Sequence, residues 1–375
     1  MRIAYLLGEN LASHPGLREK IFGQVQEWCA HGHECFLVMH GVGQVVGSAG
    51  NVLMQNAGLS GAQRNIGKLR KLLLLQRQYD FVLKALEHIK PDITYSRYMF
   101  PIPGLKRALH EAGPLIVEVN SNDKSEYFSN HVCTGLYNLM FRHQLLNRAD
   151  GLIFVTKELA SSTAFRGYNA RRMVIANGVK AGSFPFVEDT GNDHPQLCFI
   201  GSPGQSWQGL DKLSMLAAGL PECTLHIIGP TEKECLDAWR SRPPNVLFHG
   251  YLDGHTASEL VSRMDVGIST LALHRKGMNE ACPLKVRQYI ASGLPVIASH
   301  LDTDIAEDCD FFLRLPNNEA NISANLPDVA RFVRRVFRNN GLRAAIRQYA
   351  VSHMDVSQKE ESRLRFFESL RDDSP

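Results

Sequence analysis

The chain is most constrained by a regular alternation of short apolar runs with longer amphipathic stretches, repeated in two series. RIAYLL, ECFLVMH, ITYSRY, LIVEV, GLIFV and MVIA occupy the first half. QLCFIG, TLHIIG, NVLFHG, VGIST, PVIAS and FFLRL occupy the second. These runs are continuously apolar rather than alternating, the pattern of parallel strands buried on both faces. Parallel neighbours need crossover connections, and amphipathic segments such as 17–31, 68–88 and 256–264 supply them. A chain of 375 residues is long for one hydrophobic core. The expected fold class is therefore α/β, with two Rossmann-like doubly wound domains. Residues 1–185 are expected to form the first domain and 190–350 the second. The joint lies within ANGVKAGSFPFVEDTGNDHPQ, which begins at Asn177-Gly178 and is rich in glycine, proline and acids. Residues 355–375 read as a closing helix with Leu364, Phe367 and Leu370 on one face, packing back on the N-terminal domain.

Composition narrows the classes of function. A net charge of +3 is too small to argue for a nucleic-acid partner. The eight cysteines are scattered without a C-x-x-C pair, so neither a zinc site nor a disulfide framework is expected, and a reducing compartment fits. No acidic cluster is spaced to hold a metal. The first apolar run meets a glycine after seven residues, and no run approaches the ~18 apolar residues of a membrane span. The expected location is cytoplasmic, or peripheral to the inner face of a membrane. The latter rests on residues 61–90, where seven Lys or Arg (64, 68, 70, 71, 77, 84, 90) face two acids and interleave with leucines. The segment 64–90 could meet an anionic membrane surface. The stronger reading puts its leucines in the core and its cations in water.

Three glycine-bearing loops follow strands. GVGQVVG at 41–47 has G-x-G-x-x-x-G spacing with no helix behind it, so it reads as a flexible loop rather than a dinucleotide fingerprint. GENLASHPGLREK enters a helix at Pro15-Gly16, either as a ligand-binding turn or as an ordinary βα turn. In the second domain, SPGQSWQGLDKL follows the strand LCFIG at the edge where open α/β sheets bind ligands. Two such loops would face a common cleft if the domains met edge to edge. NEACPLKVRQYIASGLPVIAS, residues 279–299, poses a sharper question. Its helix places Lys285 and Arg287 at an N-terminus already positive from the backbone dipole. A bound anion would account for that choice.

In their order, "ADGLIFVTKEL", "ANGV", "FIGS…W-x-G-L-D-K-L", "LHIIG", "VLFHGYL" and "PLKVRQYIASGLPVIAS" resemble the family 4 retaining glycosyltransferases, glycosyl transferases group 1 with the GT-B fold. The resemblance covers nearly the whole chain and is most specific over 279–299. It implies two Rossmann-like domains around a central cleft and a sugar transferred from a nucleoside diphosphate sugar, UDP- or GDP-linked, without cofactor or metal. A glycan, a lipid-linked sugar or a small molecule would accept, as in bacterial cell-surface polysaccharide or glycoconjugate synthesis.

The family's paired glutamates, seven residues apart, map to Glu280 and Gln288. Glu280 would contact donor-sugar hydroxyls. Gln288, an amide in place of the second glutamate, would hold the ribose less strongly than a carboxylate. Amides at Leu284 and Lys285, after Pro283, would cradle the diphosphate, with the Lys285 ammonium as its counter-charge and Arg287 on the ribose side or in solvent. Gly201, Ser202, Gln208 and Tyr251 complete the implied donor site. The family's cations are replaced at Ser202-Pro203 and Gln208, leaving Arg275 or Lys276 to compensate. On the acceptor side the resemblance implies Gly16, Arg97 and Asn120. Asn120 stands where the family has a histidine, and could equally cap the helix after it. With Gln208, Gln288 and Asn120 all softened, a catalytically silent partner subunit that binds sugar nucleotide is the alternative. A nucleotide-sugar epimerase on the same fold ranks third.

Overall fold

A computed structural model describes residues 1–8, 11, 15–59, 68–101, 104–202 and 204–372, with backbone alone for 15, 68–72, 129 and 130. Part of the loop before Gly16, Pro203 and residues 64–67 of the basic segment therefore lie outside the described residues, as do the side chains of Lys68, Arg70 and Lys71.

All twelve apolar runs become strands. The first unit comprises β1 (Arg2–Leu7), α1 (Pro15–Ala30), β2 (Glu34–Met39), β3 (Gln44–Gly47), β4 (Val52–Gln55), α2 (Lys68–Ile89), β5 (Ile93–Arg97), α3 (Leu105–Ala108), β6 (Leu115–Val119), α4 (Asp123–Asn130), α5 (Val132–Phe141), α6 (His143–Leu146), β7 (Gly151–Phe154), α7 (Lys157–Ser161) and β8 (Arg171–Val174). Its sheet runs β4-β3-β2-β1-β5-β6-β7-β8, parallel except where β3 pairs antiparallel with β2 and β4. The 41–47 stretch is thus a turn and a hairpin strand rather than a loop throughout. Val45 and Val46 pair with Val38 and Leu37 and extend the sheet beyond its Rossmann core.

The second unit, Asn177–Val356, holds β9 (Gln196–Ile200), α8 (Leu210–Gly219), β10 (Thr224–Ile228), α9 (Glu232–Leu236), β11 (Val246–Gly250), α10 (Gly254–Ser262), β12 (Val266–Ile268), β13 (Glu280–Ala281), α11 (Leu284–Ala291), β14 (Val296–Ala298), β15 (Leu301–Asp302), β16 (Phe312–Arg314), α12 (Leu326–Val336) and α13 (Asn340–His353). Six parallel strands run β11-β10-β9-β12-β14-β16, and β13 pairs with β15 separately. Strand pleating splits the core in two. Leu197 and Phe199 enter the cluster on one face of the sheet, and Cys198 enters that on the other. Both faces are buried, which accounts for the unbroken apolar runs.

The last helix, α14 (Val356–Asp372), belongs from Ser357 onward to the first unit. Leu364, Phe367 and Leu370 join Trp28, Tyr95 and Ile153 in its core, as the stripe of apolar residues predicts. A buried polar network adds specificity. Trp28 Nε1 donates to Glu360 at 2.8 Å, and Arg363 donates to Glu360 at 2.8 Å and to the Tyr95 hydroxyl at 2.6 Å.

In both sheets the strand order reverses beside the first strand of the unit, between β1 and β5 and between β9 and β12. Ligands of open α/β sheets bind at such switch points, outside the carboxyl ends of the strands. At the carboxyl end of its first strand, each unit has a close glycine–glycine approach to the loop after the next strand, β2 or β10. A Cβ on Gly41 would sit 2.1 Å from the Gly8 carbonyl oxygen, and one on Gly229 would sit 2.0 Å from that of Gly201. Neither position has room for a side chain.

Candidate functional site

The second unit gathers its chemistry at the end of β9. Gly201 continues the strand by donating to the Ile228 carbonyl at 3.0 Å, and Ser202 is exposed just beyond it. Gln208 folds back under this loop and is buried. Its Oε1 accepts from the Ser202 amide at 3.3 Å and from Lys285 Nζ at 3.4 Å, while its amide nitrogen donates to Gln205. Gly201 must lack a side chain here too, since its Cβ would meet Gln208 Oε1 at 2.6 Å and the Phe199 ring at 2.3 Å. Gln208 is thus an internal tie between loop and helix rather than only a surface contact for a ligand.

Lys285 reaches the same spot from the first turn of α11. Its ammonium lies 4.0 Å from the centroid of the Phe199 ring, and no acidic side chain pairs with it among the described residues. Desolvation lowers its pKa to about 7, with only a small opposing pull from Cys198. Pro283 caps the helix without a side-chain hydrogen bond, so the amides that open it, at Leu284 and Lys285, are left for another acceptor. Tyr289, one turn further along, fixes α11 on the sheet. Its hydroxyl accepts from the Ile200 amide at 2.8 Å and contacts the Ile268 carbonyl at 3.3 Å, joining the ends of β9 and β12. Gly267 makes space for this ring, since its Cβ would lie 2.4 Å from it. Sequence reasoning did not single out Tyr289 or Gly267. A buried tyrosine four residues after a candidate anion ligand was the available signal.

Glu280 is buried on β13, paired with Leu301 of β15. The turn that follows, Cys282-Pro283, is held by Asn177, whose Nδ2 donates to the Cys282 carbonyl at 2.6 Å. Arg287 binds that same corner. It donates to the Asn177 carbonyl at 2.7 Å, to Asp302 at 2.8 and 3.0 Å, and to Asp304 at 3.2 Å. The expectation that Arg287 faces ribose or solvent is therefore wrong, since the side chain is 1% exposed. Two residues apart on a helix of 3.6 residues per turn, Lys285 and Arg287 point to nearly opposite sides. One faces the loop and the other braces the strand.

Arg275 also departs from expectation. It is clamped by Asp211 at 2.8 Å and Glu319 at 2.6 Å, so its charge is already matched. Lys276 lies over the Trp207 ring at 4.6 Å. Gln288 is half-buried and donates to the Ser258 hydroxyl of α10 at 3.2 Å. Tyr251 follows β11, two strands from β9, and is 67% exposed. No hydrogen bond among the described residues joins it to the Gly201–Lys285 group.

In the first unit, Asn120 Nδ2 donates to Glu118 Oε1 at 2.8 Å, just past β6. The cap of α4 is Asn122, which accepts from the Lys124 amide, so Asn120 is not the capping residue. Burial would raise the Glu118 carboxyl, but Lys20, Arg363 and Arg97 outweigh it and hold it well below the usual carboxylate range. Lys20 donates to this carboxylate at 2.6 Å, and the Tyr95 hydroxyl donates to it at 2.5 Å. Arg97 ends β5 at the switch point, half-buried, and Gly16 is exposed in the first turn of α1. Among the described residues, no group of three or more His, Cys, Asp or Glu is placed to hold a metal ion.

Two doubly wound α/β units, one with a cation and an uncapped helix end at its switch point, define a GT-B architecture. Residues 194–331 match the family model described as glycosyl transferases group 1. That match lies within the second unit, and the likeness over the whole chain is one of fold. Solved structures of similar fold span almost the whole chain. Sucrose-phosphate synthase from Thermosynechococcus elongatus aligns at a TM-score of 0.75 with 15% identity, covering 99% of each chain. A glycosyltransferase from Rickettsia africae aligns at 0.61 with 12% identity, covering 100% of this chain and 99% of the other. HepE of Anabaena, solved with UDP and glucose, aligns at 0.58 with 14% identity, covering 98% and 100%. No curated protein matches the chain in sequence comparison.

Proposed function

We propose that this protein transfers a sugar, with retention of configuration, from a nucleoside diphosphate sugar to a glycan, lipid-linked or small-molecule acceptor. One observation carries the reading. Lys285 lies desolvated and without an acidic partner among the described residues, beside the uncapped N-terminus of α11 and the Gly201 loop. A diphosphate supplies the charge that this arrangement lacks. UDP is the first nucleotide to test, since HepE was solved with it.

In this reading Gly201, Ser202, Pro283 and Leu284 shape the diphosphate cradle, and Gln208 holds Lys285 toward it. Glu280 orients the donor sugar. Gln288 and Tyr251 serve the nucleoside, while Gly16, Arg97 and Asn120 serve the acceptor. No carboxylate pair is assigned to acid–base work. Catalysis then rests on positioning and on stabilising charge as it builds on the departing phosphate, which takes the acceptor proton.

Calorimetry with UDP, GDP and ADP, followed by transfer and hydrolysis assays with their sugars, tests the proposal. Nucleotide binding without turnover on any donor would favour a silent partner subunit, while absence of binding would overturn the donor site. Substitutions refine the roles. Glu280→Ala should cut turnover at least tenfold, about 1.4 kcal/mol of transition-state stabilisation. Gln288→Ala should mainly raise the donor KM, because ribose is bound equally in ground and transition states. Gln288→Glu should keep or improve transfer. Turnover that survives Glu280→Ala would remove Glu280 from the mechanism.

A further inference from the structure

The ten residues of α5, VCTGLYNLMF, contain no charge, yet much of the helix faces outward. Val132, Leu136, Leu139 and Met140 are 62%, 53%, 45% and 64% exposed. Their spacing of i, i+4, i+7 and i+8 makes one apolar stripe about 100° wide. Phe128, on the preceding helix, is also exposed. Such a stripe normally turns toward a core, and here it is the opposite face that is locked in place.

The inner face is held by directed contacts. Asn138 is fully buried, accepting from the Tyr98 hydroxyl at 2.9 Å and donating to Asp123 at 2.7 Å. Arg142 follows with a bidentate pair to Asp123 at 2.6 and 2.7 Å. Gly135 lets α4 and α5 meet closely, since its Cβ would fall 2.5 Å from the Phe128 ring. Tyr98 and Phe100, just past β5, continue into Tyr127, Tyr137 and Phe141 as an aromatic cluster. The exposed stripe is therefore presented by a firmly seated helix.

The charge of the same unit indicates the partner of α5. Residues 61–107 contain ten Lys or Arg against three Asp or Glu, in a chain whose totals are 41 and 38. Within its described part, α2 packs against α3, α3 packs against α6, and α6 follows α5 directly. Arg77, Lys84, Lys106 and Arg107 are exposed, as is Leu73 one turn before Arg77. An exposed apolar stripe on a unit that also exposes these cations matches the chemistry of an anionic bilayer surface. At about 15 Å, α5 is too short to cross a bilayer and fits within its headgroup layer. Its single face is also far smaller than the roughly 800 Å² that each side of a stable protein interface buries.

We propose that α5 is a membrane-docking helix. It inserts Val132, Leu136, Leu139 and Met140 among anionic lipids while the α2 and α3 cations meet the headgroups. Docking does not depend on the transferase reading. If both hold, the acceptor side of the first unit works next to a bilayer, and a lipid-carried acceptor is the class it serves.

The test uses the full chain with phosphatidylcholine vesicles, with and without phosphatidylglycerol. Wild type should sediment with the anionic vesicles. The double variant Leu136→Glu/Met140→Glu should bind at least about tenfold more weakly at unchanged thermal stability. In Leu136→Trp, brominated acyl chains should quench the added fluorescence. Equal sedimentation of wild type and double variant, or no quenching, would overturn the proposal. So would a wild-type dimer that the double variant dissociates, which would assign the stripe to a second copy of the chain. UDP binding, measured on the same samples, should be equal in both proteins. Its absence from both would count against the donor site and leave the docking result intact.

Discussion

Replacing Arg287 with alanine is expected to remove about 3–5 kcal/mol of stability, enough to unfold a marginal domain. The guanidinium is enclosed, with Asp302 fully buried beside it at 2.8 Å and Asp304 at 3.2 Å. Truncation would leave the Asp302 carboxylate in a low-dielectric pocket without its counter-charge, and the Asn177 carbonyl would lose its donor. Urea denaturation of the full chain measures the loss. A second arm separates charge from packing. Arg287→Met/Asp302→Leu removes both buried charges together and should recover most of the deficit, because an apolar pair of similar volume avoids the desolvation cost. Asp304, partly exposed, can take up water in that variant. If Arg287→Ala cost under about 1 kcal/mol, the pair would be acting like a solvated surface bridge and the account of this corner would fail. Where the variant stays folded, its donor KM should rise, since Cys282 and Pro283 lose the brace that aims α11.

The second large effect is on the pH dependence of nucleotide binding. Lys285 in the free protein has a pKa lowered to about 7, and a diphosphate beside it would raise that value toward the ordinary lysine range. Below pH 7 the ammonium is already charged, so it adds little pH dependence. Above pH 7 binding must recruit a proton. Affinity should then fall by up to about tenfold per pH unit until the pKa of the bound state is reached. Calorimetry of UDP binding in buffers of different ionisation enthalpy would register that proton uptake near pH 8. Lys285→Arg, which stays charged throughout, should flatten the profile. Lys285→Ala should weaken binding and also remove the dependence. An unchanged slope in Lys285→Arg would assign the titration to another group.

For stability the same shift has the opposite pH sense. A lysine whose folded pKa is lowered binds fewer protons folded than unfolded between pH 7 and its ordinary range. It therefore destabilises most at low pH, and stability recovers as pH rises through that window. At low pH the proposed anion site would thus be held in an unfavourable charge state until a ligand arrives.

Several features were legible because they depend on local pattern. The twelve apolar runs specified the parallel strands, since a strand buried on both faces must be apolar at every position. The stripe Leu364, Phe367 and Leu370 specified a helix that needs a core, and the core it found is that of the first unit. The order of motifs through 279–299 pointed to the glycosyltransferases. The hairpin strand Gln44–Gly47 was hidden by the glycines around it, because its Val45-Val46 pair, the first buried and the second partly exposed, is defined by β2 and β4 on either side. Likewise β13 and β15 are two residues each and exist only because distant segments meet.

What the sequence determined by itself was which segments are apolar, where helices begin, and which positions hold charge. The tertiary structure decided which charges are spent. Arg287 and Arg275 looked as available as Lys285 in one dimension, yet Asp302, Asp304, Asp211 and Glu319 come from remote segments to match the two arginines. Lys285 received an aromatic ring and an amide instead. The physical reason is that ion pairing depends on distance through space and on exclusion of water, neither of which local spacing encodes.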